Sequence, residues 1–254
     1  IHASDQDHRA TSFILYVLCT SKVFSVRFLA FSDVHGSEPA VKRLVSEVEG
    51  EDFEFILIAG DITNALLTGA EEGQRQARSI SDILSTLGRP IYFVYGNRDY
   101  PPRSRRPVEF PAGTPLENGS RGVGDGYVLT SDVARVDPSS ILVTHSLHPL
   151  LAKLRSPALI YLYGHDHQAR VYKNYVDLGF LYRDKEAHGA SRSLFGCYWF
   201  IEVDGEEFSF ENHRWQLRES RCPVHPGQGV FYIPFNWRKA CPLCYDEERY
   251  LFPF

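Results

Sequence analysis

The chain has 254 residues, 43% of them hydrophobic, which is enough for one large α/β domain with a sizeable core and a small appendage. Its formal net charge of −5 gives no general attraction to nucleic acid or anionic membrane, so any polyanion has to be met by a local patch. The early apolar run FILYVLC at 13–19 is too short to span a bilayer and lacks the basic, small-residue frame of a secretory signal, which predicts a cytoplasmic protein without membrane contact.

Residues 1–25 read as an N-terminal extension with no assignable chemistry. VRFLAFSD (26–33) is short, apolar and rich in β-formers, and predicts a buried strand. After it, Val41, Leu44, Val45 and Val48 fall at i, i+3, i+4 and i+7, one helical face with Gly50 as its stop. FEFILIAGD (53–61) predicts a second strand, ARSISDILSTLG (77–88) a second helix through Ile80, Ile83, Leu84 and Leu87, and IYFVYGN (91–97) a third strand. This βαβαβ order predicts a parallel sheet.

Residues 101–126 are rich in Pro, Arg and Gly and predict a long surface loop beside the strand ends. Its arginines Arg103, Arg105 and Arg106 read either as solvated loop charge or as a patch that recruits an anionic substrate. Strands resume at ILVTH (141–145) and ALIYLYGH (158–165), with a short helix HPLLAKL between them, and the later runs ARVYKN, SLFGCYWFIEVDG and EFSFENHRW are spaced as antiparallel strands. No internal repeat is visible. The pattern gives way near Glu219, which divides the chain into an extension (1–25), a main domain (26–218) and a tail (219–254).

Five buried strands end in polar residues: SDVHG, AGDIT, YGNRD, VTHS and YGHDH. Ligands of open parallel sheets bind outside the carboxyl ends of the strands, so Asp33, His35, Asp61, Asn97, His145, His165 and His167 can reach one cleft. Oxygen and imidazole donors in this number suit divalent transition metals, and a pair of them sharing one carboxylate suits water activation at phosphorus. Alternation in an extended chain would put the partners of Asp33-x-His35 and His165-x-His167 on one side. A single Asp or His at a strand end is usually a cap or a satisfied polar group, the ordinary reading kept for His148, His188 and His213, of which His188, in AHGAS, is the one whose loop could lie near the cleft. The ordered set of seven is what carries the metal reading.

The set DVH, GD, GNRD, TH, GHDH resembles, in the same order, the strand-end motifs of the calcineurin-like metallophosphoesterase superfamily, over about residues 26–215. The resemblance implies a four-layer α/β/β/α sandwich with two mixed β-sheets. It implies two divalent ions (Mn, Fe, Zn or Ni), one held by Asp33, His35, Asp61 and His167, the other by Asp61, Asn97, His145 and His165, with Asp61 bridging. It further implies phosphoester hydrolysis by in-line attack of a metal-bridging hydroxide on a small substrate. Asn97, Arg98, Asp99 and His145 are the expected catalytic group, with Asp99 orienting a neighbour, and Asn97, Arg98 and His188 are expected to face substrate. Position 98 departs from the family, where many members carry His. An arginine cannot usefully donate a proton at neutral pH but can grip phosphate oxygens, which favours phosphodiesters over monoesters. The alternatives are a phosphomonoesterase, a nuclease, for which the acidic net charge is unfavourable, or a non-catalytic interaction scaffold of the same fold.

In the tail, Cys222-x-x-His225 and Cys241-x-x-Cys244 are separated by 15 residues, and each pair begins Cys-Pro. This spacing resembles zinc-ribbon knuckles and predicts one structural zinc, with VFYIPF as the strand between them. A disulfide or unpaired thiols are the competing readings, a structural disulfide being less suited to a cytoplasmic chain. Oligomeric state leaves no signature in the sequence.

Overall fold

The computed structural model describes residues 25–124, 126–183, 194–215, 217–221, 225, 229–232 and 239–240. The N-terminal extension lies outside them. The main-domain strands are β1 (Ser25–Phe31), β2 (Ile56–Ala59), β3 (Ile91–Val94), β4 (Thr114–Pro115), β5 (Arg121–Val123), β6 (Tyr127–Thr130), β7 (Ser140–Thr144), β8 (Ile160–Tyr163), β9 (Arg170–Tyr172), β10 (Tyr175–Asp177), β11 (Tyr182–Arg183), β12 (Leu194–Phe195), β13 (Cys197–Asp204) and β14 (Glu207–Arg214). The α-helices are α1 (Glu38–Val48), α2 (Ala65–Thr68) and α3 (Ala70–Ser85).

Two six-stranded sheets form, ordered β14-β13-β1-β2-β3-β4 and β5-β6-β7-β8-β10-β9. Both are mixed. In the first, β1 to β4 run parallel and β13 joins β1 antiparallel; in the second, β6, β7, β8 and β10 run parallel and β5 and β9 close the edges antiparallel. The two sheets pack face to face with helices outside the first, as the family resemblance implies.

The period of β1 shows why. Phe28 and Ala30 join a core between the sheets with Leu57, Leu129, Ile141, Leu162, Val176 and Trp199. Leu29 and Phe31 point the other way, into a core under α1 and α3 with Val41, Leu44, Ile58, Ile80 and Leu84. A strand buried on both faces reads as a continuous apolar run, and each large side chain so buried contributes roughly 1.5–3 kcal/mol. Ser37 caps α1, its Oγ accepting from Ala40 N at 3.4 Å, and the buried face runs through Ala40, Val41, Leu44 and Val48.

Several expectations need correction. The helix predicted from residue 77 starts at Ala70, because Gly69 holds the N-cap position and offers no side-chain signal, and the one-turn α2 before it was invisible to periodicity. The segment 101–126 is not simply a surface loop: Val108 and Phe110 insert into the helix-side core, Leu116 and Val123 into the inter-sheet core, and β4 and β5 extend one sheet each. HPLLAKL forms a 3₁₀ turn (His148–Lys153) rather than an α-helix. With the turn Val133–Arg135 it flanks a small apolar cluster of Val136, Leu142, Leu147 and Tyr161 on the outer face of the second sheet. After β9 the chain adds β10, which pairs parallel with β8 rather than only antiparallel with its sequence neighbour.

In the tail, β15 (Leu217–Arg221), β16 (Gly229–Tyr232) and β17 (Lys239–Ala240) make a three-stranded antiparallel sheet, with β15 running across position 219. Among the described residues no helix is long and apolar enough to cross a membrane.

Candidate metal centre

The carboxyl ends of β1, β2 and β3 from the first sheet and of β7 and β8 from the second lie at one end of the sandwich. The parallel pairing continues past the strands: Asp33 N donates to Gly60 O at 3.0 Å, His35 N to Asp61 O at 2.9 Å and Gly36 N to Ile62 O at 2.9 Å, while Gly164 N donates to His145 O at 3.1 Å. These bonds hold the post-strand turns in register within each sheet.

The turns are not extended chain. Asp33, His35, Asp61, His165 and His167 adopt left-handed backbone, with φ of 55°, 51°, 53°, 70° and 58°. Simple alternation therefore does not explain why Asp33 and His35, or His165 and His167, share a site; a left-handed residue at each position turns the side chain inward instead. This conformation is costly for non-glycine residues and clusters at functional sites. Close approach matters equally. A Cβ on Gly96 would collide with the Asp61 carboxylate and backbone, and one on Gly164 with the Ser32 hydroxyl and the Asp33 carboxylate, so only glycine lets these strand ends converge.

All seven predicted donors meet. His167 Nε2 lies 2.8 Å from Asp33 Oδ1, and His35 Nε2 lies 3.4 Å from the same oxygen. Asp61 Oδ2 is 3.7 Å from His35 Nε2 and 3.3 Å from His145 Nε2, between the two imidazoles. Asn97 Oδ1 is 3.1 Å from both His145 Nε2 and His165 Nδ1, and these two nitrogens are 3.3 Å apart. The ligand atoms of Asp33, His35 and His167 lie within 4.8 Å of one another, as do those of Asp33, Asp61 and His145, and either trio could hold a metal ion. Imidazole nitrogens that converge on carboxylate and amide oxygens fit the chemistry of a divalent cation.

Neighbouring groups fix the donors. His145 Nδ1 lies 2.9 Å from Ala59 O, which holds the ring proton there and leaves Nε2 as the donor atom toward Asp61 and Asn97. Ser32 Oγ donates to Asp33 Oδ2 at 2.5 Å, as does His165 N at 3.0 Å. Arg98 N donates to Asp61 Oδ1 at 2.6 Å, leaving Oδ2 toward the imidazoles. Burial alone would push Asp33 up, but the charge and hydrogen bond of His167, with His35 and His145 behind, hold its carboxyl well below the ordinary value. Burial likewise opposes a charge on His145, yet the Asp61 hydrogen bond and the Asp33 and Asp61 charges raise it to about 9.

Asp99 is fully buried and does not face the donors. Its Oδ1 accepts from Thr63 N at 2.7 Å and Thr63 Oγ1 at 3.0 Å, and its Oδ2 accepts from Gly96 N at 2.9 Å, so it clasps the turn after β2 to the turn after β3. Burial and the Asp61 charge push it up to about 6. Because its carboxylate is engaged in this way, Asp99 does not pair with Arg98. The Arg98 side chain is partly exposed and makes no hydrogen bond or ion pair among the described residues. His188, Cys222, Cys241 and Cys244 lie outside the described residues, and His225 is half-buried. His213 stacks on Tyr198 with ring centroids 4.8 Å apart, and His148 sits on an exposed turn.

Ser32, Thr63 and the Ala59 carbonyl were missed by sequence reasoning, since a small hydroxyl or a backbone oxygen carries no signal until the fold places it. A second group missed is Asp177, at the end of β10, whose buried carboxyl accepts from Gln168 N at 3.2 Å and Gly179 N at 2.8 Å and so steadies the turn that carries His167.

Solved structures similar to the chain include three phosphoesterases. A phosphoesterase from E. coli, YfcE, is 21% identical, covering 72% of this chain and 91% of that one with a TM-score of 0.41. A predicted phosphoesterase from Streptococcus pneumoniae is 16% identical, covering 75% and 90% with a TM-score of 0.39, and an archaeal phosphodiesterase is 13% identical, covering 75% and 100% with a TM-score of 0.44. No curated protein matches the chain. The family model of the calcineurin-like phosphoesterase superfamily domain matches residues 26–183, more than half of the chain and a span that contains all seven converging donors. With the two mixed sheets and the strand-end cluster in place, the chain belongs to the calcineurin-like phosphoesterase superfamily.

Proposed function

We propose that the chain is a dinuclear metal-dependent phosphohydrolase acting on phosphodiesters. The observation that carries this reading is the placement of Asp61 Oδ2 between His35 Nε2, at 3.7 Å, and His145 Nε2, at 3.3 Å, the position of a shared carboxylate. One ion would be held by Asp33, His35, Asp61 and His167, the other by Asp61, Asn97, His145 and His165. Bound divalent ions supply an activated water and neutralise charge on the phosphoryl oxygens.

The chain's own residues do the rest. Ser32 and Ala59 O orient Asp33 and His145, and Arg98 N turns Asp61 so that Oδ2 stays free for sharing. The guanidinium of Arg98 extends from the same turn as Asn97 and would take a non-bridging phosphate oxygen, stabilising charge that builds in the transition state. It delivers no proton to the leaving group, so esters whose leaving group departs unprotonated are favoured. Turnover of an aryl phosphodiester against an aryl phosphate, each with added Mn²⁺, tests the reading. The diester should react faster; a faster monoester overturns the diester assignment, and no turnover of either points to a non-catalytic scaffold.

The 219–254 tail is assigned a structural zinc on Cys222, His225, Cys241 and Cys244, supported by their spacing. One equivalent of zinc that persists in an Asp61→Ala variant is expected, whereas a Cys222–Cys241 disulfide found by peptide mass mapping sinks it.

A further inference from the structure

Ser32 follows β1 and precedes the donor Asp33, and both residues are fully buried, at 0% exposure. The Ser32 Oγ lies 2.5 Å from Asp33 Oδ2 and 2.9 Å from Ala59 O. A serine hydroxyl has a single proton to give, and a carboxylate oxygen and a carbonyl oxygen are both acceptors. One of the two is therefore served fully only at the other's expense.

The two acceptors belong to different sets of metal donors. Asp33 Oδ1 faces His167 Nε2 at 2.8 Å and His35 Nε2 at 3.4 Å. Ala59 O lies 2.9 Å from His145 Nδ1, and so orients the imidazole whose Nε2 meets Asp61 and Asn97. His165 N donates at 3.0 Å to Asp33 Oδ2, the same oxygen that Ser32 touches. Gly164 closes over this contact from the second sheet, where a Cβ would collide with Ser32 Oγ and Asp33 Oδ2. One rotatable O–H group, out of reach of solvent, thus stands at the junction of the two sets.

While Asp33 carries no cation, its charge makes it the stronger acceptor, and the contact to Asp33 is the shorter of the two. A cation held at Oδ1 draws electron density from the whole carboxylate and leaves Oδ2 a poorer acceptor. We propose that Ser32 couples the two ion sites: when Asp33 takes a cation, the hydroxyl proton turns from Asp33 to Ala59 O, where it competes with His145 Nδ1–H for one carbonyl. A weaker Nδ1–H···O bond makes Nε2 less basic, so filling the set of Asp33, His35 and His167 weakens binding at His145 and His165. The coupling rests on the dinuclear reading above. Ser32 acts through Asp33 and His145 and is a positioning residue, with no contact to substrate.

The test uses the full chain with ¹⁵N-labelled histidines, as wild type and as Ser32→Ala, titrated with Zn²⁺ against a competing chelator. His35 and His167 report one set and His145 and His165 the other, so each affinity is read at its own imidazoles and zinc bound elsewhere is set apart. In the wild type the His145 Nδ1–H proton resonance should move upfield as His35 and His167 fill. In Ser32→Ala that shift should be about half as large or less. The variant should also lose affinity about tenfold at His35 and His167, the scale of one removed partner of a metal ligand, but less than about twofold at His145 and His165. Repulsion between the two ions is common to both chains, so the difference isolates the hydroxyl. A His145 resonance that does not move in the wild type overturns the proposal without any variant. Shifts of equal size in the two chains overturn it as well, as do equal losses of affinity at the two sets, which would mark Ser32 as a packing contact only. A wild-type chain in which only one set of histidines fills sinks the dinuclear reading, and the coupling with it.

Discussion

Asp33, His35, Asp61, His145 and His167 are buried, whereas Asn97 and His165 are exposed and Arg98 is partly so. The same end of the sandwich thus has a closed side and an open side. On the closed side, hydrogen bonds from Ser32, His165 N, Arg98 N and to Ala59 O leave little freedom, so the donor positions are preset by the fold. On the open side Asn97 and His165 stand at the surface, where a substrate can enter. Affinity for ions should therefore respond to changes on the closed side, and selectivity among phosphoesters to changes on the open side.

The largest effect should come from breaking the closed side at its centre. Asp61→Ala removes the carboxylate proposed to be shared, and kcat/KM should fall on the order of 10³-fold or more, with loss of bound metal measured by elemental analysis. Arg98→Ala, on the open side, should lower kcat about 10²-fold with metal content intact, the scale of one lost transition-state hydrogen-bond donor. Unchanged kinetics there would remove Arg98 from catalysis. Asp99→Asn joins the two sides: one of its carboxylate oxygens becomes an NH₂ group facing N–H or O–H donors, which should cost about 1–3 kcal/mol of stability and reduce kcat about tenfold through misplacement of Asn97. Thermal melting and kinetics on one preparation separate those components.

The smallest effect concerns pH. Burial pushes Asp177 from 3.8 up to about 8, so the folded chain keeps a proton that the unfolded chain has released above pH 4. That contribution is full below pH 4 and is lost as pH rises toward 8. Asp177→Asn should flatten the decline in melting temperature between pH 5 and 8, read with chelator present; about 2–4 °C corresponds to each kcal/mol. An identical slope in the variant would show that Asp177 is ionised throughout.

The closed side was legible in the sequence because each donor sits at the end of a buried strand, and strand ends in a parallel sheet have one place to converge. β1, β2 and β3 announced themselves as apolar runs, and the face of α1 was set by Val41, Leu44 and Val48. What could not be read was how the chain turns after each strand. His35 and Asp33 look like alternating neighbours, yet both are left-handed, a state that remains uncommon for aspartate and histidine although they enter it more often than most residues. The 101–126 segment was misjudged for a related reason: Val108, Phe110, Leu116 and Val123 are too widely spaced among Pro, Gly and Arg to show a period, although each reaches a core. Asp99 could be singled out as an orienting residue, but its partner Thr63, 36 positions away, could not.

The left-handed turns also bear on what the fold is for. At on the order of 1 kcal/mol each, the five strained donors together approach the whole net stability of a small domain. A chain required only to present a surface to partners has no need of aspartate and histidine in this conformation. Keeping aspartate and histidine there concentrates backbone strain at the donor cluster, which ions bound to the folded state would offset, so chelation should lower the melting temperature.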